Sequence, residues 1–381
     1  MDEHSRQISI AYCIAGTYRA AGMERILTLK ANYLDSLGYK VIIITTDQEG
    51  RIPAFMMSPG IKQIDLGIGY ERTNGSSFIK KALLFPYKHI CHKQRLKRVL
   101  KQITPDVTVS MFCNDVNILP SITAGGRKIL EVHFSRFKRL LYGRKGLWGI
   151  ADRLLSYHDQ LIIRKYDKFV TLTKEDLINW GNPTNGICIP NFINSIPEYP
   201  SLLNSKTVIS VGRLTYQKGI DRLLEAWSRS SAKDRQWHLK LIGEGEQKKD
   251  LQMMIKSLGI SDTVELAGEQ RDMDTVYRNA SVLVLSSRYE GMPMVLLEAQ
   301  SYGIPCISFD CQCGPRDIIT DGENGRLVAN GDIIGLAEAI DELTNDNKTL
   351  QRMGANAYSY AARWDMQRIM KLWTNLFESE L

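Results

Sequence analysis

The chain has 381 residues, of which 44% are apolar and 24% are charged, a globular balance that excludes a disordered protein. Its length suffices for two domains of ordinary size, and the sequence contains no run of 18 apolar residues that would predict a membrane span. The seven cysteines are odd in number and scattered, which favours reduced thiols, so we expect a soluble protein of the cytoplasm.

Charge is divided unevenly along the chain. Residues 1–190 hold 28 lysines and arginines against 16 acids, a net charge of +12, whereas residues 191–381 carry a net charge of −5. This asymmetry indicates that the first half faces an anionic partner.

The first half alternates apolar, strand-like runs with helical patterns. Residues 22–38 place apolar side chains at helical spacing and end at Gly38, which predicts a helix. Continuous apolar runs predict strands covered on both faces at residues 8–14, 40–46, 106–111, 128–133 and 168–173. This order predicts a doubly wound α/β domain over residues 1–190.

The same pattern restarts after residues 189–205, a stretch with three prolines that is typical of a linker. Further strands are predicted at residues 206–212, 238–243, 263–268, 281–287 and 305–310. We therefore expect a second Rossmann-like domain over residues 191–362, facing the first across a cleft, and a last helix, residues 363–381, that packs back onto the first domain. Tandem domains of this kind usually bind a ligand between them, at the carboxyl ends of their strands.

Two acids bracket an almost wholly apolar stretch after the strand at 281–287. Glu290 lies in the loop that follows this strand, and Glu298 lies further along a helix whose first turn is predicted to contain Pro293. Free N–H groups at a helix N-terminus suit a diphosphate, and carboxylates accept hydrogen bonds from the paired hydroxyls of sugars. The two glutamates indicate a sugar-nucleotide site, although a loop salt bridge and a surface glutamate would give the same pattern.

Other strand ends carry further candidates. Arg213 and Lys218 follow the first strand of the second domain, where two cations can neutralise a diphosphate or simply lie on the surface. His133 ends another strand and could hydrogen-bond a sugar hydroxyl or developing charge, or be a satisfied surface histidine. Gly16 and Gly22 frame a loop after the first strand, and their spacing lacks the dinucleotide fingerprint, which argues against a nicotinamide or flavin enzyme.

Several stretches in combination resemble the retaining, nucleotide-sugar-dependent glycosyltransferases of family 4, which have the GT-B fold. These stretches are "VGRLTYQKG", "LIGEGEQKKDL", "SSRYEGMPMVLLEAQSYGIPCISFD" and "DGENGRLV". The opening "GMERILTLKANYLDSLGYKVIIIT" and the interdomain "VTLTKED" and "IPNFI" extend the resemblance over nearly the whole chain. One departure is "CQCGPRDII" at 311–319, where many relatives have a Gly-Gly-x-x-Glu loop, and it leaves the identity of the sugar open.

The resemblance implies a role for each candidate residue. Glu290 would contact the donor sugar without acting as a nucleophile, and His133 would lie near the anomeric carbon, so these two are the catalytic candidates. Arg213 and Lys218 would bind the diphosphate, and Glu298 would hold the ribose. The other positions expected at the nucleotide sugar are Gly22, Arg271 in the base-carrying segment "AGEQRD", and the backbone of Gly291, Met292, Pro293, Met294 and Val295. The resemblance implies a UDP-linked donor, and no metal or other cofactor is expected.

A basic surface is predicted on the first half. Residues 73–105 contain eight lysines and arginines and no acid, and residues 134–166 mix arginine and lysine with large apolar side chains. This mixture suits a helix that lies on an anionic membrane surface, although a solvated helix face would give the same pattern. No nucleic-acid-binding module is recognisable, so no nucleic-acid partner is expected.

The expected function is transfer of a hexose or N-acetylhexosamine from a nucleotide sugar to a saccharide or lipid-linked saccharide in surface polysaccharide or glycolipid synthesis, such as lipopolysaccharide or capsule. Residues 1–190 would bind the acceptor, and residues 191–362 would bind the donor. Two alternatives stay open: an epimerase of GT-B fold, which would need a fuller acid–base set than His133 and Glu290, and a non-catalytic subunit that binds a sugar nucleotide.

Overall fold

The computed structural model describes residues 7–73, 78–141 and 146–379, and for residues 78–82, 147 and 148 it describes the backbone only. The chain divides into two compact units. The first unit holds the chain as far as Leu172, residues 177–189 and the chain from Met370 onward. The second unit holds residues 173–176 and 190–369.

The first unit is built on a seven-stranded parallel sheet with the order β3-β2-β1-β4-β5-β6-β7. Its strands are β1 (Ser9–Ile14), β2 (Lys40–Thr45), β3 (Lys62–Asp65), β4 (Val107–Ser110), β5 (Arg127–Glu131), β6 (Lys168–Thr171) and β7 (Gly186–Cys188). The chain winds outward from β1 in one direction and from β4 in the other, which is the doubly wound arrangement. Every residue of β1 is buried, as a strand covered on both faces requires.

Helices connect these strands and cover the sheet. They are α1 (Gly22–Ser36), α2 (Phe78–Ile103), α3 (Lys138–Leu141), α4 (Leu147–Ile162) and α5 (Lys174–Asn179). Leu96 and Leu100 of α2 belong to the buried cluster on one face of the sheet. In the same cluster, Phe169 and Trp180 meet edge to face with ring centroids 5.3 Å apart.

The second unit has a six-stranded parallel sheet with the order β10-β9-β8-β11-β12-β13. Its strands are β8 (Thr207–Val211), β9 (His238–Ile242), β10 (Val264–Gly268), β11 (Val282–Leu285), β12 (Cys306–Asp310) and β13 (Gly325–Ala329). Its helices are α6 (Ile220–Arg229), α7 (Lys248–Ser257), α8 (Met273–Arg278), α9 (Met294–Ser301), α10 (Pro315–Ile318), α11 (Ile333–Asn345) and α12 (Asn347–Ala361).

The last helix, α13 (Met366–Glu378), starts in the second unit and continues into the first. From Met370 onward its residues belong to the first unit. The backbone carbonyl of Leu376 accepts a hydrogen bond from Arg127 Nη1 at 3.0 Å, and the side chains of Trp373 and Phe377 are buried. The apolar stripe of this helix therefore completes the core of the first unit.

The predicted class, two doubly wound α/β domains, is confirmed by these sheets. The strands β3, β7 and β13 were not predicted, and all three lie at sheet edges, where fewer of their residues are buried. The predicted basic segments correspond to α2 and to the stretch from α3 to α4, but Lys80, Lys81, Arg144, Lys145 and Trp148 lie outside the described side chains. Among the helices of the described residues, none combines the length and the apolar character that crossing a membrane requires.

Candidate functional site

Two loops of the second unit come together because their strands are neighbours in its sheet. The strands β8 and β11 are paired in parallel, so both end at the same edge. The loop after β8 leads into α6, and the loop after β11 leads into α9. Hydrogen bonds tie the loops directly, from Arg288 N to Gln217 O at 2.8 Å and from Ser286 Oγ to Lys218 O at 3.0 Å.

The structure brings two of the predicted site residues into direct contact. Lys218 Nζ lies 2.7 Å from Glu290 Oε1, and this oxygen also accepts a hydrogen bond from Ser287 Oγ at 2.6 Å. The two charged side chains are only 17% and 8% exposed, so their attraction is less screened than that of a surface pair. A lysine ammonium, a group that can bind an anion, and a carboxylate, a group that can accept hydrogen bonds from hydroxyls, are thus held side by side at the end of a parallel sheet.

Arg288 links these loops to α6, and it was not among the site residues predicted from the sequence. Its guanidinium binds Asp221 through two bonds, with Nη1–Oδ1 at 2.9 Å and Nη2–Oδ2 at 2.6 Å, and lies 3.9 Å from the ring centroid of Tyr216. Burial alone would raise the pKa of Asp221, but Arg288 outweighs it and lowers the pKa. No local signal links positions 221 and 288, because the pairing depends on the adjacency of β8 and β11.

A glycine permits the close approach of the two loops. Gly219 links Lys218 to α6 and has φ of +62°, in the left-handed region that favours glycine. A Cβ at this position would lie 2.2 Å from Ser286 O, which is far inside van der Waals contact. Any side chain at position 219 would therefore push apart the loops that carry Lys218 and Glu290.

Glu298 lies on α9 with a different partner from Glu290. Its Oε2 accepts a hydrogen bond from Tyr277 OH at 2.7 Å, and the ring of Tyr277 stacks on Tyr302 with centroids 5.1 Å apart. The helix begins at Met294, with Pro293 as its extended N-cap residue. The Glu298 carboxylate is therefore held by the hydroxyl of a tyrosine of the second unit.

The remaining candidates of the second unit are either exposed on loops or packed against neighbouring residues. Arg213 and Arg271 are exposed, and within the described part of the chain neither side chain has a hydrogen-bond or ion-pair partner. Between Glu290 and the helix, Met292 is buried, and its sulfur accepts a hydrogen bond from Asn191 N at 3.2 Å. The backbone of Gly291 to Val295 connects Glu290 to the start of α9.

Two candidates lie in the first unit. Gly22 is the first residue of α1, and a Cβ there would meet nothing within 4 Å, so no close approach explains this glycine. His133 follows β5, and its Nε2 lies 2.9 Å from Glu131 Oε1. Over residues 7–73, 78–141 and 146–379, the structure holds no group of three or more His, Cys, Asp or Glu side chains that could bind a metal.

The chain is similar to known glycosyl transferases. The family model "Glycosyl transferases group 1" matches residues 192–360, which include both loops. An uncharacterized glycosyltransferase of Haemophilus influenzae is 26% identical over 371 residues, or 96% of this chain and 99% of that protein. The lipopolysaccharide 1,6-galactosyltransferase of Salmonella typhimurium is 41% identical over 278 residues, or 68% of this chain and 70% of that protein.

Solved structures share the fold. The crystal structure of a mutant of S. aureus TarM, in complex with Fondaparinux, alpha-GlcNAc-glycerol and UDP, has a TM-score of 0.76 at 16% sequence identity, over 98% of this chain and 100% of that chain. This likeness confirms the predicted GT-B class. The 41% identity to the Salmonella enzyme over 70% of that protein's length establishes that this chain belongs to the group 1 glycosyl transferases.

Proposed function

We propose that this protein is a family 4 glycosyltransferase that moves a hexose or N-acetylhexosamine from a UDP-sugar to a saccharide or lipid-linked saccharide, with retention of configuration. The observation that carries the proposal is the contact between Lys218 and Glu290 on neighbouring strand-end loops. The similarity to a galactosyltransferase of lipopolysaccharide synthesis and to a UDP complex supports the donor and the setting, surface polysaccharide or glycolipid assembly.

The ion pair has a direct use in donor binding. When the donor binds, Lys218 exchanges the Glu290 carboxylate for the diphosphate, and Glu290 accepts hydrogen bonds from sugar hydroxyls instead. Arg213 adds a second cation at the diphosphate. Glu298 binds the ribose hydroxyls, and Arg271 lies beside the base. The backbone of Gly291 to Val295 faces the sugar and phosphate.

The transfer step follows from this placement. The acceptor oxygen forms its bond to the anomeric carbon as the bond from that carbon to the phosphate oxygen breaks, and the acceptor proton passes to the departing phosphate on the same face. Lys218 and Arg213 stabilise the negative charge that develops on the diphosphate, which is the main catalytic effect. His133 contacts the sugar near the reacting carbon. No metal is required, because the two cations neutralise the leaving group.

A screen of nucleotides for thermal stabilisation tests the donor. At 100 times its dissociation constant, UDP should add about 2.7 kcal/mol to the stability of the unit that binds it and raise its melting temperature by roughly 5–10 °C. ADP and GDP at the same concentration are the matched controls. Stabilisation by one of these but not by UDP, UDP-glucose, UDP-galactose or UDP-N-acetylglucosamine would contradict the proposed donor.

The stabilising UDP-sugar then serves to test the reaction. Release of UDP should persist in EDTA, and NMR of the glycoside formed should show the anomeric configuration of the donor. Epimerised donor in the absence of an acceptor would instead identify an epimerase. Tight UDP binding without turnover on any saccharide would identify a binding subunit.

We also propose that the enzyme works on the inner face of the cell membrane and docks there through α4. Four exposed apolar side chains at helical spacing form a stripe on this helix: Ile150, Leu154, Tyr157 and Leu161. The half of the chain that carries the stripe has a net charge of +12, which complements an anionic lipid surface.

Sedimentation with vesicles tests the docking surface. At low salt the protein should sediment with phosphatidylglycerol vesicles, remain in the supernatant with phosphatidylcholine vesicles, and lose binding at high salt. The variant Ile150→Glu/Leu154→Glu should lose binding, whereas Ile334→Glu, an equally exposed isoleucine on α11 of the second unit, should retain it. Equal recovery of the unsubstituted protein in both supernatants would refute membrane docking.

A further inference from the structure

A chain of polar side chains is buried beside His133 in the first unit. Lys30 Nζ, from α1, lies 2.6 Å from Glu131 Oε1 and 2.7 Å from Glu131 Oε2, and neither side chain is more than 1% exposed. Glu131 Oε1 lies 2.9 Å from His133 Nε2. The indole of Trp373, from α13, covers the ammonium with its ring centroid 3.6 Å from Lys30 Nζ.

This carboxylate stays ionised although it is fully buried. Burial alone would raise the pKa of Glu131, but Lys30 and His133 outweigh it and lower the pKa to about 2. Burial lowers the pKa of Lys30, and Glu131 opposes that change. A buried ion pair usually adds no net stability over apolar side chains of the same volume, so a gain in stability does not account for the pair.

The ion pair determines which nitrogen of His133 carries the proton. An ionised carboxylate can only accept hydrogen bonds, so the ring nitrogen that faces Glu131 must be the donor. The neutral ring is therefore protonated on Nε2, and Nδ1 is left as an acceptor. Within the described part of the chain, no hydrogen bond involves Nδ1.

We propose that Lys30 and Glu131 are positioning residues that lock His133 in the Nε2–H tautomer, so that Nδ1 accepts a hydrogen bond from a hydroxyl of the donor sugar. This inference rests on the proposed function, because it assumes that His133 contacts the sugar. Lys30 anchors both carboxylate oxygens, Trp373 closes the ammonium off from water, and Glu131 then fixes the plane and the tautomer of the ring.

The tautomer is measured directly by NMR of the unsubstituted protein. The chain has six histidines, and a ¹⁵N-histidine-labelled sample compared with His133→Gln identifies the signals of His133. In the neutral ring we expect a proton on Nε2 alone. A neutral ring that carries its proton on Nδ1 would overturn the proposal.

The functional consequence is tested in the double variant Lys30→Met/Glu131→Gln, which removes both buried charges together. The amide that replaces the carboxylate can accept from Nε2–H or donate to Nε2, so the ring should populate both tautomers. We expect kcat for release of UDP from the stabilising UDP-sugar to fall roughly 10–100-fold, by analogy with the loss of residues that orient catalytic histidines. The dissociation constant of UDP should stay close to that of the unsubstituted protein, since the proposed UDP contacts lie in the second unit.

Thr28→Val is the matched control for damage to α1. Thr28 is buried on the same helix, and its hydroxyl donates a hydrogen bond to the carbonyl of Glu24, so its loss should lower the melting temperature without lowering kcat. If the unsubstituted protein fails to bind UDP, the proposed function fails. If it binds and turns over a UDP-sugar but the double variant keeps its kcat or a single tautomer, the positioning role alone fails. Should the double variant not fold, the NMR measurement on the unsubstituted protein still decides the tautomer.

Discussion

Replacement of Lys218 or Glu290 by alanine should lower the rate of UDP release from the donor by about 100-fold or more, while both variants keep their fold. Lys218→Ala removes a cation from the leaving diphosphate, so it should also weaken UDP binding. Glu290→Ala removes a contact to the sugar, so UDP should bind the variant as before but kcat should fall. Turnover of the stabilising UDP-sugar, together with calorimetric titration of UDP, separates these two effects.

The matched control for the loss of an ion pair is Lys240→Ala. Lys240 pairs with Glu265 at 3.2 Å in the same unit, but both side chains are about half exposed and lie on β9 and β10. This variant should keep normal turnover and UDP affinity, because exposed pairs contribute little. Near-normal turnover in both Lys218→Ala and Glu290→Ala would refute the assignment of the site.

Gly219→Ala should destabilise the second unit and weaken UDP binding together. The alanine would have to adopt a left-handed backbone conformation, and its Cβ would collide with Ser286 O. The left-handed conformation costs an alanine about 1–2 kcal/mol, and the collision, as overpacking, costs a further 1–3 kcal/mol or so. Because the clash separates the loops of Lys218 and Glu290, the dissociation constant of UDP should rise at least about tenfold. Urea denaturation and UDP titration measure the two effects.

Gly259→Ala isolates the backbone contribution. Gly259 has φ of +65°, nearly the value at Gly219, but a Cβ there would meet nothing within 4 Å. This variant should lose only about 1–2 kcal/mol of unfolding free energy and should bind UDP normally. If the two variants were equally destabilised, the close approach of the two loops would not be what requires glycine at position 219.

The three strands that were not predicted from the sequence all lie at sheet edges, although the edge strand β10 was predicted. Central strands such as β1 and β11 are covered on both faces, so their sequences are continuous apolar runs. The strand β3 reads "KQID" and lies at a sheet edge with most of its residues exposed. Because the residues of β3 are mostly not covered by other parts of the chain, they need not be apolar, and the sequence shows no apolar run to detect.

Most candidate residues of the second unit could be proposed from the sequence because they lie in loops that follow strands, and strand ends are visible as the limits of apolar runs. The partners of these residues could not be predicted from the sequence. The bond from Ser287 to Glu290 is local, but the pairs Lys218–Glu290 and Asp221–Arg288 join residues more than 60 positions apart. Such pairs exist only because β8 and β11 are neighbours, and strand order follows from how the whole chain winds.

Amino-acid order alone therefore specified the α/β class, the central strands and the types of residue at the strand ends, since burial and backbone conformation restrict each of these locally. Folding in three dimensions decided which charges meet. Glu131 was invisible as the partner of Lys30 because 101 positions separate them, and the proton position on His133 depends on that contact. Hydrogen bonds act over about 3 Å, so only tertiary packing can bring distant side chains within their reach.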